Sequence, residues 1–286
     1  MEEQRASRAD AQAASPVASN GTRGRPAPVR FEATEEESRR IQALAGSTSG
    51  SVRLADPPAV LRADGAERDL QSVLAAFRGR SVFDGGLLRE IAAAAELLPW
   101  VREVRRVSWA HREGQVCVAF DVVPRVPAAA VLWGGERRLV DIAGALLPAV
   151  SYHEEAVADI PWVQGVAVPP PAPGSAWGDP GLRAALDVLD VYARRGFAER
   201  RPEMRPVSVL VSLAPERGIA RPVADPEVRL SLACGKQLLM TARGGVGRLS
   251  IDEQLHHVED ILADPPRWHR IERYADLRFR HTVPAQ

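Results

Sequence analysis

The residues of this 286-residue chain best suited to chemistry lie near its C-terminal end, in the run LHHVED at 255–260. His256, His257, Glu259 and Asp260 could ligate a metal ion or pass a proton, provided that they converge. On a helix, adjacent residues point about 100° apart, so His256 and His257 cannot share an ion as an i, i+4 pair does. His256 and Asp260 do have that spacing, but no further ligand motif stands nearby, and a solvated helix face accounts for the run. The glycine-rich ARGGVGRLS at 242–250 ends at a helix start, where backbone N–H groups could cradle a phosphate. It lacks the G-x-x-x-x-G-K-[ST] pattern, and the chain's single lysine, Lys236, lies upstream. A flexible strand-to-helix connection explains it more simply.

Asp84, Asp141, Asp179 and Asp276 read as caps and turn residues, not as acid–base pairs. The chain has no G-x-S-x-G elbow, C-x-x-C pair, H-E-x-x-H helix or dinucleotide fingerprint. The expectation is therefore a non-enzyme without catalytic, cofactor-binding or metal-ligating residues and without a small-molecule substrate. An enzyme with dispersed groups would need a pocket in which titratable side chains converge.

Charge and composition narrow the partners. The 37 basic and 37 acidic side chains cancel, so no global field draws nucleic acid or an anionic membrane. Apolar content of 45% and charged content of 26% are ordinary for a globular protein. Cys117 and Cys234 are too few for a disulfide scaffold; each sits in an apolar strand-like stretch and is expected to be a buried thiol. Their redox state stays open. No run approaches the roughly 18 apolar residues of a membrane span, and Met1-Glu2-Glu3 opens no signal peptide. Residues 1–50, poor in large apolar groups, read as a disordered tail.

The elements that would position any site begin near Ser51. SVRLADP reads as a short strand, and ERDLQSVLAAF as a helix with Leu70, Val73, Leu74 and Phe77 on one face. In the next helix Asp84 is the expected N-cap, Leu87, Leu88, Ile91, Ala95 and Leu98 recur at helical spacing, and Pro99 ends it. Trp100 and Val101 then mark a helix-to-strand corner, where a large apolar group can plug a helix-on-sheet core. Val116, Val118, Phe120 and Val122 alternate as in a half-buried strand, entered through a turn at Gly114. Two further strands, AAAVLWGG and RRLVDIAG, follow. A proline-rich loop at 168–180 leads to a helix with Asp179 as N-cap, Pro180 at its first position and Gly196 as its stop. Leu182, Ala185, Leu186, Leu189 and Tyr192 form its buried stripe. Strands PVSVLVSL, EVRLSLACG and KQLLMTA come next, then a helix opened by the capping box Ser250-x-x-Glu253, and a final strand within 276–283.

Taken in order, these segments resemble the extracytoplasmic part of the bacterial cell-division family FtsQ/DivIB. The likeness spans about residues 51–283. It rests on LLPWV followed by REVRRVSW, on Pro124-Arg125-Val126-Pro127-Ala128, and on Leu139-Val140-Asp141-x-x-Gly144. It continues in IPWVQGV at 160–166, EVRLSLACGKQLLM at 227–240 and ADLRF at 275–279. The chain departs from the family in having proline where the E-R-x-P turn has glutamate, and no span before the first domain.

The resemblance implies an α+β architecture. A small POTRA-like domain at 51–148, two helices on a three-stranded sheet, would precede a larger mixed, mainly antiparallel β domain with helices at 149–286. It also implies a scaffold that binds small coiled-coil division proteins, FtsB and FtsL, by strand addition at the C-terminal edge. The residues carried over are Asp276, Leu277, Arg278, Phe279, Arg280, His281, Thr282 and Val283, with Leu277, Phe279 and His281 on one face. An ordinary edge strand guarded by arginines is the competing reading of the same residues. The implied place is the cell envelope, on the extracytoplasmic side of the inner membrane, whereas the N-terminal sequence alone reads as a soluble, cytoplasmic chain. Membrane association stays open, and the alternative function is a soluble POTRA-containing chaperone or envelope-assembly protein.

Overall fold

A computed structural model describes residues 52–54, 59, 61–81, 84–112, 115–212, 226–242 and 248–278. The N-terminal tail, the turn at Gly114, residues 243–247 of the glycine-rich run, and Phe279, Arg280, His281, Thr282 and Val283 lie outside these residues.

Apolar side chains at helical spacing bury one stripe of each of the first two helices. Helix α1 (Ala63–Ala75) buries Ala66 and Leu70, and α2 (Leu87–Glu96) buries Leu87, Ile91 and Ala95. Asp84 is not the N-cap of α2; Gly86 is. Asp84 instead accepts the Gly86 N–H at 3.0 Å and pairs with Arg80, and these contacts hold its carboxyl below the usual carboxylate range.

The two helices share a core with a three-stranded sheet of order β1-β3-β2, made of β1 (Val52–Leu54), β2 (Val101–Arg112) and β3 (Gln115–Pro124). At the corner before β2, Trp100 is fully buried and its indole N–H donates to Asp69 at 2.9 Å. Trp100 thus plugs the corner as its position after Pro99 suggests. A buried tryptophan contributes about 3–5 kcal/mol, judged by what truncation to alanine costs.

The larger sheet has eight described strands in the order β11-β10-β9-β8-β7-β4-β5-β6. They are β4 (Pro127–Trp133), β5 (Glu136–Asp141), β6 (Leu146–Leu147), β7 (Trp162–Gln164), β8 (Pro206–Ser212), β9 (Glu227–Leu232), β10 (Gln237–Thr241) and β11 (Tyr274–Asp276). Pairings β4–β5, β5–β6, β8–β9 and β9–β10 are antiparallel, while β4–β7, β7–β8 and β10–β11 are parallel. The fold is therefore α+β with a mixed, mainly antiparallel larger sheet. Strands β4 and β5 lie in the 51–148 stretch of the chain yet pair in the larger sheet. The change of sheet falls at Arg125-Val126, between Pro124 and Pro127, neither of which has an N–H to donate to a ladder. The two sheets also share apolar packing, since Ala130, Leu139 and Leu147 of the larger sheet join the cluster of Trp100 and Phe120.

Beside the larger sheet lie α3 (Glu154–Val157), α4 (Pro180–Arg194), α5 (Phe197–Arg200), α6 (Ile251–Ala263) and α7 (Pro265–Arg270). Asp179 caps α4 through Leu182 N–H at 2.8 Å. Its second oxygen takes the Ala167 and Val168 N–H groups, fastening the loop after β7 to the helix start. The stripe Leu182, Ala185, Leu186, Leu189 and Tyr192 is buried as its spacing requires. Helix α6 opens with the full capping box of Ser250 and Glu253. Among the described residues, no helix is long and apolar enough to cross a membrane.

Candidate partner-binding edge

Strand β11 forms one end of the larger sheet, and a short chain of contacts builds it. Ahead of it, Asp264 accepts the Arg267 N–H and Pro265 opens α7, whose Trp268 and the following Ile271 are buried. Gln237 N–H then donates to Arg273 C=O at 2.8 Å, and Leu277 N–H to Leu239 C=O at 3.0 Å. These bonds set the parallel register Gln237↔Tyr274, Leu238↔Ala275, Leu239↔Asp276. They also show that alternate residues aim their backbone groups at β10, so those of Tyr274 and Asp276 face the opposite side. No described strand pairs there.

The described part of the strand begins before the expected run. Of the expected run 276–283, residues 276–278 are described: the strand covers Tyr274–Asp276, and Asp276 folds back on Arg278. Its Oδ1 accepts Arg278 N–H at 3.1 Å, and its carboxylate also holds the Arg278 guanidinium at 2.7–2.9 Å. Arg278 reaches Glu227 of β9 as well. The carboxylate bonds raise the Arg278 pKa against the cost of its partial burial. Leu277 is fully buried in the core, so of the expected site residues only Asp276 belongs to the described edge strand. Arg278 braces the edge from the end of the strand.

The opposite end of the sheet is closed. Leu146 N–H of β6 donates to Ser175 C=O at 3.0 Å, and Gly174 N–H to Leu146 C=O at 2.7 Å, so the proline-rich loop covers the strand. Asp141 organises this end: it accepts the Ala145 N–H at 2.8 Å and the Arg125 guanidinium at 2.8 Å. Arg125 is further tied by its backbone, whose N–H donates to Trp100 C=O and whose C=O accepts the Tyr152 hydroxyl. Gly144 takes φ +84°, a left-handed turn that favours glycine. Arg125, Asp141 and Gly144, prominent in the sequence motifs, therefore act as architecture.

The other chemistry-bearing residues stay apart. The His256 side chain is 65% exposed, with its ring nitrogens 3.5 Å from Glu259 and 3.9 Å from Asp260. Among the described residues, no His/Cys/Asp/Glu cluster could hold a metal ion. Cys117 is buried as expected, but Cys234 is exposed. β9 stops at Leu232, and Cys234 sits in the turn to β10 with its N–H on Glu203 C=O. A cavity of about 670 Å³ lies between α1, β5 and α3, lined in part by Arg62, Asp64, Arg137, Tyr152, His153 and Glu154. Of the residues singled out in the sequence only Leu139 is among those lining it. Sequence reasoning assigned no role to Lys236, Trp268 or Glu227, although Lys236 is the chain's one lysine. The chain matches no protein-family model and none of the curated proteins compared with it.

Proposed function

We propose that this protein is a non-enzymatic scaffold of bacterial cell division, resembling the FtsQ/DivIB family, which binds partner proteins by strand addition at its C-terminal β edge. The observation that carries this reading is the β11 edge, which offers the outward N–H and C=O groups of Tyr274 and Asp276 with no described strand beside them. Unpaired backbone groups supply affinity in such a mode, and the flanking side chains supply specificity. The order of the sequence motifs supports partners of the FtsB and FtsL type and a place at the cell envelope, on the extracytoplasmic side of the inner membrane. The balanced charge gives no support for a nucleic-acid partner.

Tyr274→Pro tests the reading with little damage to the fold. Proline there removes an N–H that points away from β10, so the protein's own ladder keeps its bonds. Binding of the host's purified FtsB-type protein should fall at least tenfold, with the melting temperature within a few degrees of the unaltered protein. Equal binding by both proteins would sink the edge as the partner site. Binding of unfolded envelope clients that is indifferent to Tyr274→Pro would favour the chaperone or envelope-assembly reading.

A further inference from the structure

Every cationic side chain of the Lys/Arg class in this chain is arginine except one. That one, Lys236, stands at the start of the candidate edge. Its backbone is fixed by the β9–β10 turn: Leu232 N–H donates to Lys236 C=O at 2.9 Å, and Gly235 holds a φ of +80°. The turn is further pinned through Ala233 N–H on Arg205 C=O and Cys234 N–H on Glu203 C=O, both at 2.9 Å. From this rigid base the Lys236 side chain crosses the face of Trp268, with Nζ 5.2 Å from the ring centroid, and donates to Ile271 C=O. Ile271 is the C-cap residue of α7, where carbonyls lack helical partners. The next residue, Gln237, donates its N–H to Arg273 C=O and opens the β10–β11 ladder. Lys236 and Gln237 thus hold both ends of the link 271–273.

We infer that Lys236 is the positioning residue of the partner-binding edge: its ammonium group locks the end of α7 and so sets the register in which β11 is presented. The inference rests on the proposed role of that edge. An ammonium fits this place because it is a compact charge with rotatable donors, able to face an indole ring and one carbonyl together. A guanidinium is longer and planar, and its donors are fixed in a fork. That difference gives a physical reason for a lone lysine in an arginine-using chain.

The test is amide hydrogen exchange on the full chain, read at Gln237 and Leu277, whose N–H groups form the β10–β11 ladder, with the amides of α4 as the internal control. Lys236→Met should speed exchange at Gln237 and Leu277 at least tenfold and leave α4 unchanged. Lys236→Arg should show the same loss. In a Cys234→Ser background, Lys236→Cys alkylated with bromoethylamine regains an ammonium of lysine length and should recover the protection, while Cys234→Ser treated alike stays at the unaltered rate. Exchange in Lys236→Met within twofold of the unaltered protein would overturn the inference, as would full protection in Lys236→Arg. Binding of the FtsB-type protein by the same variants separates this claim from the function. Lost protection with binding that ignores Tyr274→Pro leaves the positioning role standing and removes the edge as partner site. Unchanged protection with binding that needs the edge does the reverse.

Discussion

The two ends of the eight-stranded sheet face the same physical problem and solve it differently. A terminal strand exposes backbone donors and acceptors that invite pairing. At β6 a loop of the chain itself covers the strand, Asp141 satisfies the turn before it, and Leu146 and Leu147 are buried. At β11 no described strand pairs with the outer side of Tyr274 and Asp276; just beyond, Leu249 N–H donates to Arg278 C=O at 3.1 Å, and Asp276 and Arg278 brace the strand end. The closed end uses a buried ion pair and glycine geometry, whereas the open end uses charged groups near solvent. The proposed strand addition needs this difference: one edge is sealed, and among the described residues Tyr274 and Asp276 of the other have no strand beside them.

That contrast can be tested by breaking each end. The largest effect should come from Asp141→Ala, which leaves the Arg125 guanidinium without its carboxylate and the Ala145 N–H without an acceptor. Removing one partner of a largely buried pair costs about 3–5 kcal/mol. Chemical denaturation should show that loss, with faster amide exchange at Leu146 and Gly174. A loss below 1 kcal/mol would show that the closed end does not depend on this pair.

Asp276→Ala is expected to cost less, about 1–2 kcal/mol, because Arg278 keeps Glu227 and stays partly in contact with water. Its sharper effect should be on the strand end: without the fold-back on Arg278 N–H, exchange protection at Ala275 and Leu277 should change while Leu146 stays as it was. A change at Leu146 of equal size would mean that the two ends are not independent.

The smallest effect belongs to Tyr152, which donates its hydroxyl to Arg125 C=O at 2.9 Å beside the closed end. Burial, and then the nearby Asp141 charge, raise the pKa of this phenol above its ordinary value of 10.0. The folded protein therefore keeps a proton that the unfolded chain releases at that pH. The contribution is fully present below about pH 10 and is lost as pH rises above it, towards the folded-state pKa. Tyr152→Phe should cost about 1 kcal/mol at neutral pH and flatten the alkaline loss of stability. An unchanged alkaline profile in the variant would assign that loss to other groups, Tyr192 first among them, since burial also raises its phenol.

Much of the local structure was legible in the sequence. The cap Asp179, the box Ser250–Glu253, the stripe Leu182 to Tyr192 and the Trp100 corner all fell where spacing placed them, because each depends on contacts within a few residues or on one periodic face. Asp84 shows the margin of error: the right residue type stood two positions before the cap. Cys234 shows a different limit, since apolar neighbours on one side suggested burial while a turn placed it at the surface. The candidate edge was only partly readable. Its charged residues were recognised, but its start at Tyr274 and the contact of Asp276 with Arg278 were not, because a fold-back is not encoded in strand periodicity.

By itself the sequence determined the α+β class, the helix starts at Asp179 and Ser250 and the faces that must be buried, since these follow from short-range sterics and hydrophobic spacing. The tertiary structure decided which sheet β4 and β5 join, which end of the larger sheet is sealed, and what Lys236 holds. Those outcomes depend on pairings between residues far apart in the chain, such as Leu146 with Ser175 and Lys236 with Ile271. Register and edge exposure are settled only when such distant backbone groups compete for the same partners.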